Sequence, residues 1–165
     1  MTASDRPVSE SPDRTRTTAR LWVLGQFVLL AVVVLVPSQG DWSLGPGLMR
    51  TARVVSLVGI VVMIAAALSL GRGLTALPVP NASARLRTGG LYRWVRHPIY
   101  FGLLLFTTAH CLSSESWVVL VAGVLLAALI NAKARWEERR LAERFPDYPA
   151  YAARTPRFVP GWTGR

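Results

Sequence analysis

Acid and cysteine are scarce in this 165-residue chain, and so is charge of any sign over most of its length. Nine Asp and Glu stand against nineteen Lys and Arg, a formal net charge of +10. Cys111 is the single cysteine, which excludes an intramolecular disulfide framework and any CxxC metal site, and no metal centre is expected. Nothing alternates with period two, so half-buried strands are not expected, and no internal repeat is visible. Four stretches contain no Asp, Glu, Lys or Arg: Leu21 to Val36, Val54 to Leu70, Pro98 to Leu112 and Trp117 to Ala132. A conduction path would place more ionisable groups inside them than His110 and Cys111 near the outer end of the third, which argues against a channel or transporter subunit.

What is present is apolar, and it comes in runs. Slightly over half of the residues are hydrophobic, yet the charge is segregated into arginine-rich connections. That pattern is the signature of membrane spans joined by basic loops. Each run is about 15 to 18 residues, near the lower limit for crossing the hydrocarbon core. Helices are the expected spanning element, because backbone groups must be satisfied within the segment. The first run ends in Val36-Pro37-Ser38-Gln39, a poor signal-peptide cleavage site, so it reads as an uncleaved span. The fold expected is therefore all-α and polytopic, with about four transmembrane helices and a C-terminal helical extension through Lys133 to Phe145.

The arginines orient these spans. The N-terminus, the second loop and the C-terminus carry four, five and eight basic residues, and the opposite side carries two, Arg50 and Arg53. This asymmetry of 17 to 2 places both termini in the cytoplasm, as a multi-pass protein of the inner membrane. Residues 1–20 are expected to be a disordered cytoplasmic tail and residues 21–70 a transmembrane hairpin. Residues 71–165 would form the functional part, with a cytoplasmic loop, spans three and four and the C-terminal segment. Asn81-Ala82-Ser83 matches a glycosylation acceptor but falls in the cytoplasmic loop, where it is taken as chance.

Two stretches carry the candidate chemistry. In Gly90 to Gly102, Pro98 sits where a first helical residue is favoured, with Arg96 and His97 just before it. A helix start offers free N–H groups and partial positive charge, so with Arg96 and His97 it suits a carboxylate or phosphate. In Asn131 to Leu141, Asn131, Arg135 and Glu138 share one helix face, with Glu137 and Leu141 on the neighbouring strip. An antiparallel hairpin would bring Arg96, His97 and Tyr100 close to Asn131, Arg135 and Glu138. Polar groups meeting at one membrane depth are costly unless paired, which makes the cluster a functional candidate. Each residue also has a plainer explanation. Arg96 and Arg135 can serve as positive-inside anchors, His97 as an interfacial histidine, and the glutamates as a solvated face worth little. The residues alone reach a cytoplasm-facing polar pocket for a charged ligand.

Arg96-His97-Pro98-Ile99-Tyr100 resembles the signature of the isoprenylcysteine carboxyl methyltransferase and phospholipid methyltransferase superfamily. The family's C-terminal block is resembled by Glu137-Glu138-Arg139-Arg140-Leu141, followed by Phe145, Tyr148, Tyr151 and Thr155-Pro156-Arg157-Phe158-Val159-Pro160. Pro146 departs from it, where many members have glycine. The resemblance covers roughly Gly90 to Pro160. It implies methyl transfer from S-adenosylmethionine to a lipid or lipophilic small molecule at the cytoplasmic face, with no nucleic-acid partner. By that analogy Arg96, His97, Pro98, Tyr100, Gly102 and Asn131 would hold the cofactor. Arg135, Glu137 and Glu138 would act on or orient the acceptor, and Tyr148, Tyr151 and Arg154 would close over the substrate. The acceptor could be a lipophilic carboxylate, a phospholipid amine or a small thiol. A non-catalytic scaffold of the same fold is the alternative, and the oligomeric state is open.

Overall fold

The computed structural model describes residues 12–70 and 86–161. The expected disorder of residues 1–11 and the acceptor-like Asn81 lie outside them. Five α-helices follow in order: α1 (Pro12–Leu35), α2 (Pro46–Leu70), α3 (Pro98–Ser113), α4 (Trp117–Arg144) and α5 (Tyr148–Arg154), with a 3₁₀ turn at Gly90–Arg93 ahead of α3. Among the described residues there is no strand.

Local chemistry sets most of the boundaries. Proline opens α2 at Pro46 and α3 at Pro98, where a missing N–H costs nothing. Between α3 and α4 the turn narrows to Ser114-Glu115-Ser116. Glu115 takes a left-handed φ of 50°, and the Ser116 side chain accepts from Val119 N at 3.5 Å to cap α4. Two helices begin earlier than their apolar runs. α1 starts at Pro12, so residues 12–20, expected to be disordered, are helical. The reason is tertiary: Thr15 and Ala19 are buried, and Arg140 on the α4 extension donates to Thr15 Oγ1 at 3.1 Å. Composition gives no sign of such a partner, and most helical stability comes from packing rather than propensity.

Among the described residues, three helices, Arg14–Leu35, Pro46–Leu70 and Trp117–Arg144, are long and apolar enough to cross a membrane. α3 is apolar but has 16 residues. At 1.5 Å per residue it covers about 24 Å of a hydrocarbon core of about 30 Å. α4 has 28 residues and covers about 42 Å, so its last turns overhang the start of α3.

The helices pair as α2 with α3 and α1 with α4, and α3 meets α4. Gly59 and Gly102 make the first pairing possible. A Cβ on Gly102 would lie 2.7 Å from Gly59 O, and one on Gly59 would lie 2.6 Å from Phe106 N. Small residues that let backbones approach replace the hydrophobic drive that lipid removes. Leu103, Leu126 and Ile130 form the centre of the bundle, with Leu29 and Leu30 of α1 packed on them. Leu21, Leu24, Phe27, Val54, Leu57 and Val61 face outward, as lipid-contacting positions should.

The far end of the bundle is closed by polar contacts. Trp117 N donates to Asp41 Oδ2 at 2.7 Å, Leu44 N to Glu115 Oε1 at 2.8 Å, and Trp42 Nε1 to Leu112 O at 3.2 Å. His110, to which the sequence assigned no role, donates from Nε2 to Val33 O at 3.0 Å and ties α3 to α1.

Candidate functional site

The start of α3 and the overhang of α4 meet over a single carboxylate. Glu138 Oε1 accepts from Arg96 Nε at 3.0 Å, His97 Nε2 at 3.2 Å and Arg157 Nε at 2.9 Å. Its second oxygen accepts from Arg157 Nη2 at 2.6 Å. Four N–H groups from three residues in two parts of the chain thus converge on one side chain that is 13% exposed. Charge-assisted bonds of this kind are roughly twice as strong as neutral ones.

Beside it lies a second, less crowded carboxylate. Tyr100 O–H donates to Glu137 Oε1 at 2.6 Å, and His97 Nδ1 lies 3.7 Å from Glu137 Oε2. His97 therefore sits between the two glutamates with one ring nitrogen toward each. Its ring stacks on Tyr100 at 5.3 Å with 11° between planes, and Phe158 flanks it at 6.0 Å. Lys133 Nζ lies 5.1 Å from the centroid of the Tyr100 ring and donates to Gln26 Oε1 on α1 at 2.7 Å.

The C-terminal segment forms one wall. Arg96 N donates to Pro156 O at 2.8 Å and His97 N to Arg157 O at 3.1 Å, so two consecutive peptide groups pin residues 156 and 157 to the start of α3. Arg96 Nη1 donates to Ala152 O at 2.6 Å and to Thr155 O at 2.7 Å, which fixes the end of α5. No side chain caps α3. The first-turn N–H groups of a helix have no partner within it, and in α3 those of Ile99 and Tyr100 are left, since Pro98 has none.

Of the residues singled out in the sequence, Arg96, His97, Tyr100, Asn131, Glu137 and Glu138 come together. Asn131 enters through Arg157 Nη1, 3.3 Å from its Oδ1. Several others do not take the expected places. Arg135 is exposed, because at about 100° per residue it stands about 60° from Glu138, on the side away from buried Ile130 and Ala134. Arg154 is likewise exposed at the end of α5. Gly102 is committed to packing against Gly59 rather than to a ligand, and Pro98 is fully buried at the helix start. Arg96, expected to hold an anionic ligand, spends three of its N–H groups on Glu138 and the C-terminal carbonyls.

Tyr148 and Tyr151 sit 4% exposed inside the α5 wall rather than over an open site, their rings edge to face at 6.0 Å. Tyr151 O–H donates to Tyr92 O at 2.5 Å. Burial pushes its phenol up to about 12, with Arg96 pulling the other way. Burial also raises the Tyr148 phenol, with the Glu138 charge adding to it. Both are neutral hydroxyls at any physiological pH. The Tyr148 hydroxyl is buried without a hydrogen-bond partner.

Sequence reasoning missed three contributors. Arg157 lay inside the C-terminal block, and its position between Pro156 and Phe158 was the available signal. Hydrogen bonding to Glu138 raises the pKa of its guanidinium further above the ordinary value. Lys133 is the chain's one lysine and is 4% exposed at the end of an apolar run. Gln26, polar in the middle of the first run, is its partner.

The phospholipid methyltransferase family profile matches residues 49–148, well over half of the chain, and the chain belongs to that family. Among curated proteins it is similar to the cobalt-zinc-cadmium resistance protein CzcN of Cupriavidus metallidurans. The two are 40% identical over 76 residues, 46% of this chain and 35% of that protein. It is also similar to the nickel-cobalt-cadmium resistance protein NccN of Alcaligenes xylosoxydans xylosoxydans. That match is 26% identical over 167 aligned positions, 97% of this chain and 75% of the relative. The chain thus matches about a third of the first relative's length and three quarters of the second's.

Proposed function

With membership of the phospholipid methyltransferase family as the premise, we propose that this membrane protein transfers the methyl group of S-adenosylmethionine to a lipophilic acceptor. The site is the Glu137–Glu138 pair beneath the start of α3, on the cytoplasmic side of the inner membrane. The basic residues of the tail, the second loop and the C-terminal segment favour that side. Residues 71–165 carry the site, and α1 and α2 hold it in the bilayer.

One observation carries the reading: two carboxylates lie side by side at an uncapped helix start, one enclosed by cations and the other not. These residues fit the proposed cofactor. Its carboxylate suits the N–H groups of the first turn of α3. Its amino group and sulfonium suit the Glu137 side of the site, and its flat base suits the rings of His97, Tyr100 and Phe158.

When bound, the cofactor supplies an already activated methyl group. The chain's own part is then to bind, orient and keep water away, with little acid–base work. Glu138, saturated by four N–H groups, is an anchor for the site's geometry. Glu137, which accepts from Tyr100 and lies against His97, is the better-placed proton acceptor should the acceptor be an amine. A carboxylate acceptor would need no such step.

The test uses membranes containing the protein and S-adenosylmethionine labelled on its methyl group, with label followed into lipid, protein and volatile fractions. Label is expected with wild type and is expected to fall at least tenfold with Glu138→Gln and with His97→Ala. The labelled fraction identifies the acceptor class. Absence of label together with absence of cofactor binding by purified protein would leave the scaffold reading instead.

The relatives' names add a second, compatible reading, in which the methylated product supports tolerance to divalent transition metals. Deleting the coding gene would then lower the nickel, cobalt or cadmium concentration that arrests growth, and unchanged tolerance would dismiss the idea.

A further inference from the structure

One side of α4 is not used by the candidate site. Val121, Leu125, Ala128 and Ala132 are exposed there at alternating steps of four and three residues, and exposed Arg135 and Arg139 continue the same spacing. Steps that average 3.5 residues keep side chains on one side of a helix, so the six form a single stripe that ends in two guanidiniums. The other sides of α4 are covered. Gln26 and Thr15 of α1 meet Lys133 and Arg140, while α3 and the C-terminal segment meet Asn131, Glu137 and Glu138.

Depth gives the two arginines their meaning. Trp117 opens α4 at the far end of the bundle, edge to face with Trp42 at 4.9 Å, as interfacial aromatics do. At 1.5 Å per residue, Arg135 lies about 27 Å and Arg139 about 33 Å along the helix from Trp117, against a hydrocarbon core of about 30 Å. The two therefore bracket the boundary at which lipid phosphates begin. Arg96 and Arg157 pair with Glu138, but neither Arg135 nor Arg139 has an ion pair among the described residues. A charge facing lipid at that depth is costly without a partner. A second copy is a poor one. About an axis along the membrane normal it would set the same arginines against each other at equal depth, and like charges repel.

We propose that this stripe seats one phospholipid of net negative charge, its phosphate between Arg135 and Arg139 and an acyl chain along Ala132 and Ala128. The small side chains of the two alanines let the chain lie close to the helix. Two adjacent guanidiniums select a net negative headgroup over a zwitterionic one, whose ammonium they repel. Arg135 stands about 60° around the helix from Glu138, so the headgroup rests beside the candidate site. The seat goes beyond the methyltransferase reading and does not depend on it.

Fluorescence quenching in bilayers tests this without methyl transfer, so the two readings fail separately. In a Cys111→Ala background, Ala128→Cys is labelled with bimane in the full-length protein and reconstituted in phosphatidylcholine. Brominated phosphatidylglycerol should quench that label with an effective affinity at least about threefold above that of brominated phosphatidylcholine. A label at Val61→Cys, exposed on α2, should show no such preference. Equal quenching by the two lipids at position 128 overturns the proposal. An equal preference at both positions also overturns it, because that is diffuse attraction to a basic protein. Both comparisons keep the arginines, so neither depends on an arginine variant folding. Arg135→Gln/Arg139→Gln should abolish the preference at position 128, and Arg135→Lys/Arg139→Lys should keep most of it. A preference that survives the glutamine pair overturns the assignment to these arginines. Soluble glycerol phosphate should not compete, and competition would make the ligand a free phosphate instead of a lipid. A label at position 128 that neither brominated lipid reaches would give the face to a second copy.

Discussion

Arg157 and Glu138 meet as two parallel hydrogen bonds, Nη2 to Oε2 at 2.6 Å and Nε to Oε1 at 2.9 Å. A planar guanidinium matches a carboxylate in this way and an ammonium cannot. The pair joins the segment after α5 to the overhanging turns of α4, and Arg96 fastens the same segment from the other side. One carboxylate thus organises the whole wall of the candidate site.

Replacing Arg157 by lysine should therefore fail to preserve the site. Arg157→Lys keeps the charge but loses the parallel pair, and a loss of about 2 kcal/mol is expected for this partly exposed group. Limited proteolysis should cut the C-terminal segment sooner in the variant than in wild type. An unchanged cleavage rate would show that the backbone bonds of Arg96 and His97 suffice to hold it.

Removing the carboxylate should be worse. Glu138→Gln leaves the Arg96 and Arg157 guanidiniums with no counter-charge among their present partners, and truncating one side of a buried pair costs about 3 to 5 kcal/mol. Thermal unfolding in detergent should show the drop. A melting temperature equal to that of wild type would mean that water or lipid compensates the arginines.

The contact between α2 and α3 should tolerate no added carbon. Gly59→Ala would place a Cβ 2.6 Å from Phe106 N, a backbone atom that cannot step aside alone. Overpacking of this kind costs about 1 to 3 kcal/mol. Gly59→Ala should unfold at lower temperature, whereas Gly47→Ala, with open space around it, should not. Equal stability of the two would remove the close approach as an explanation for glycine at position 59.

At the far end, Asp41→Ala should weaken the start of α4 without touching the candidate chemistry. Asp41 accepts the Trp117 N–H, one of the orphan donors of a helix N-terminus. A loss of about 1 kcal/mol is expected. Hydrogen exchange at the first turn of α4 should accelerate while methyl transfer stays within twofold of wild type. A large fall in transfer would connect the two ends of the bundle.

Orientation is tested by labelling. In a Cys111→Ala background, Ser43→Cys should react with an impermeant maleimide in intact cells, and Arg154→Cys only after permeabilisation. Both positions are exposed in the structure. The reverse pattern would place the candidate site outside the cytoplasm and reject the arginine-based assignment.

The helical class and the apolar runs follow from the residues, because a backbone in lipid has so few ways to satisfy its polar groups. So do the start of α3 at Pro98 and the continuation of α4 past Ala132, since proline and periodicity act locally. Arg96, His97 and Glu138 were legible as neighbours because a tight turn between two antiparallel helices leaves little freedom in register. Other features depended on packing between distant segments. That α1 begins at Pro12, that Gly102 packs against Gly59 and that Arg135 turns outward are properties of helix surfaces only when a partner is present. Arg157 and Lys133 were hidden for the same reason. A charge far along the chain has no address until the fold supplies one, and the long-range pairs Arg157–Glu138 and Lys133–Gln26 were settled by tertiary structure alone.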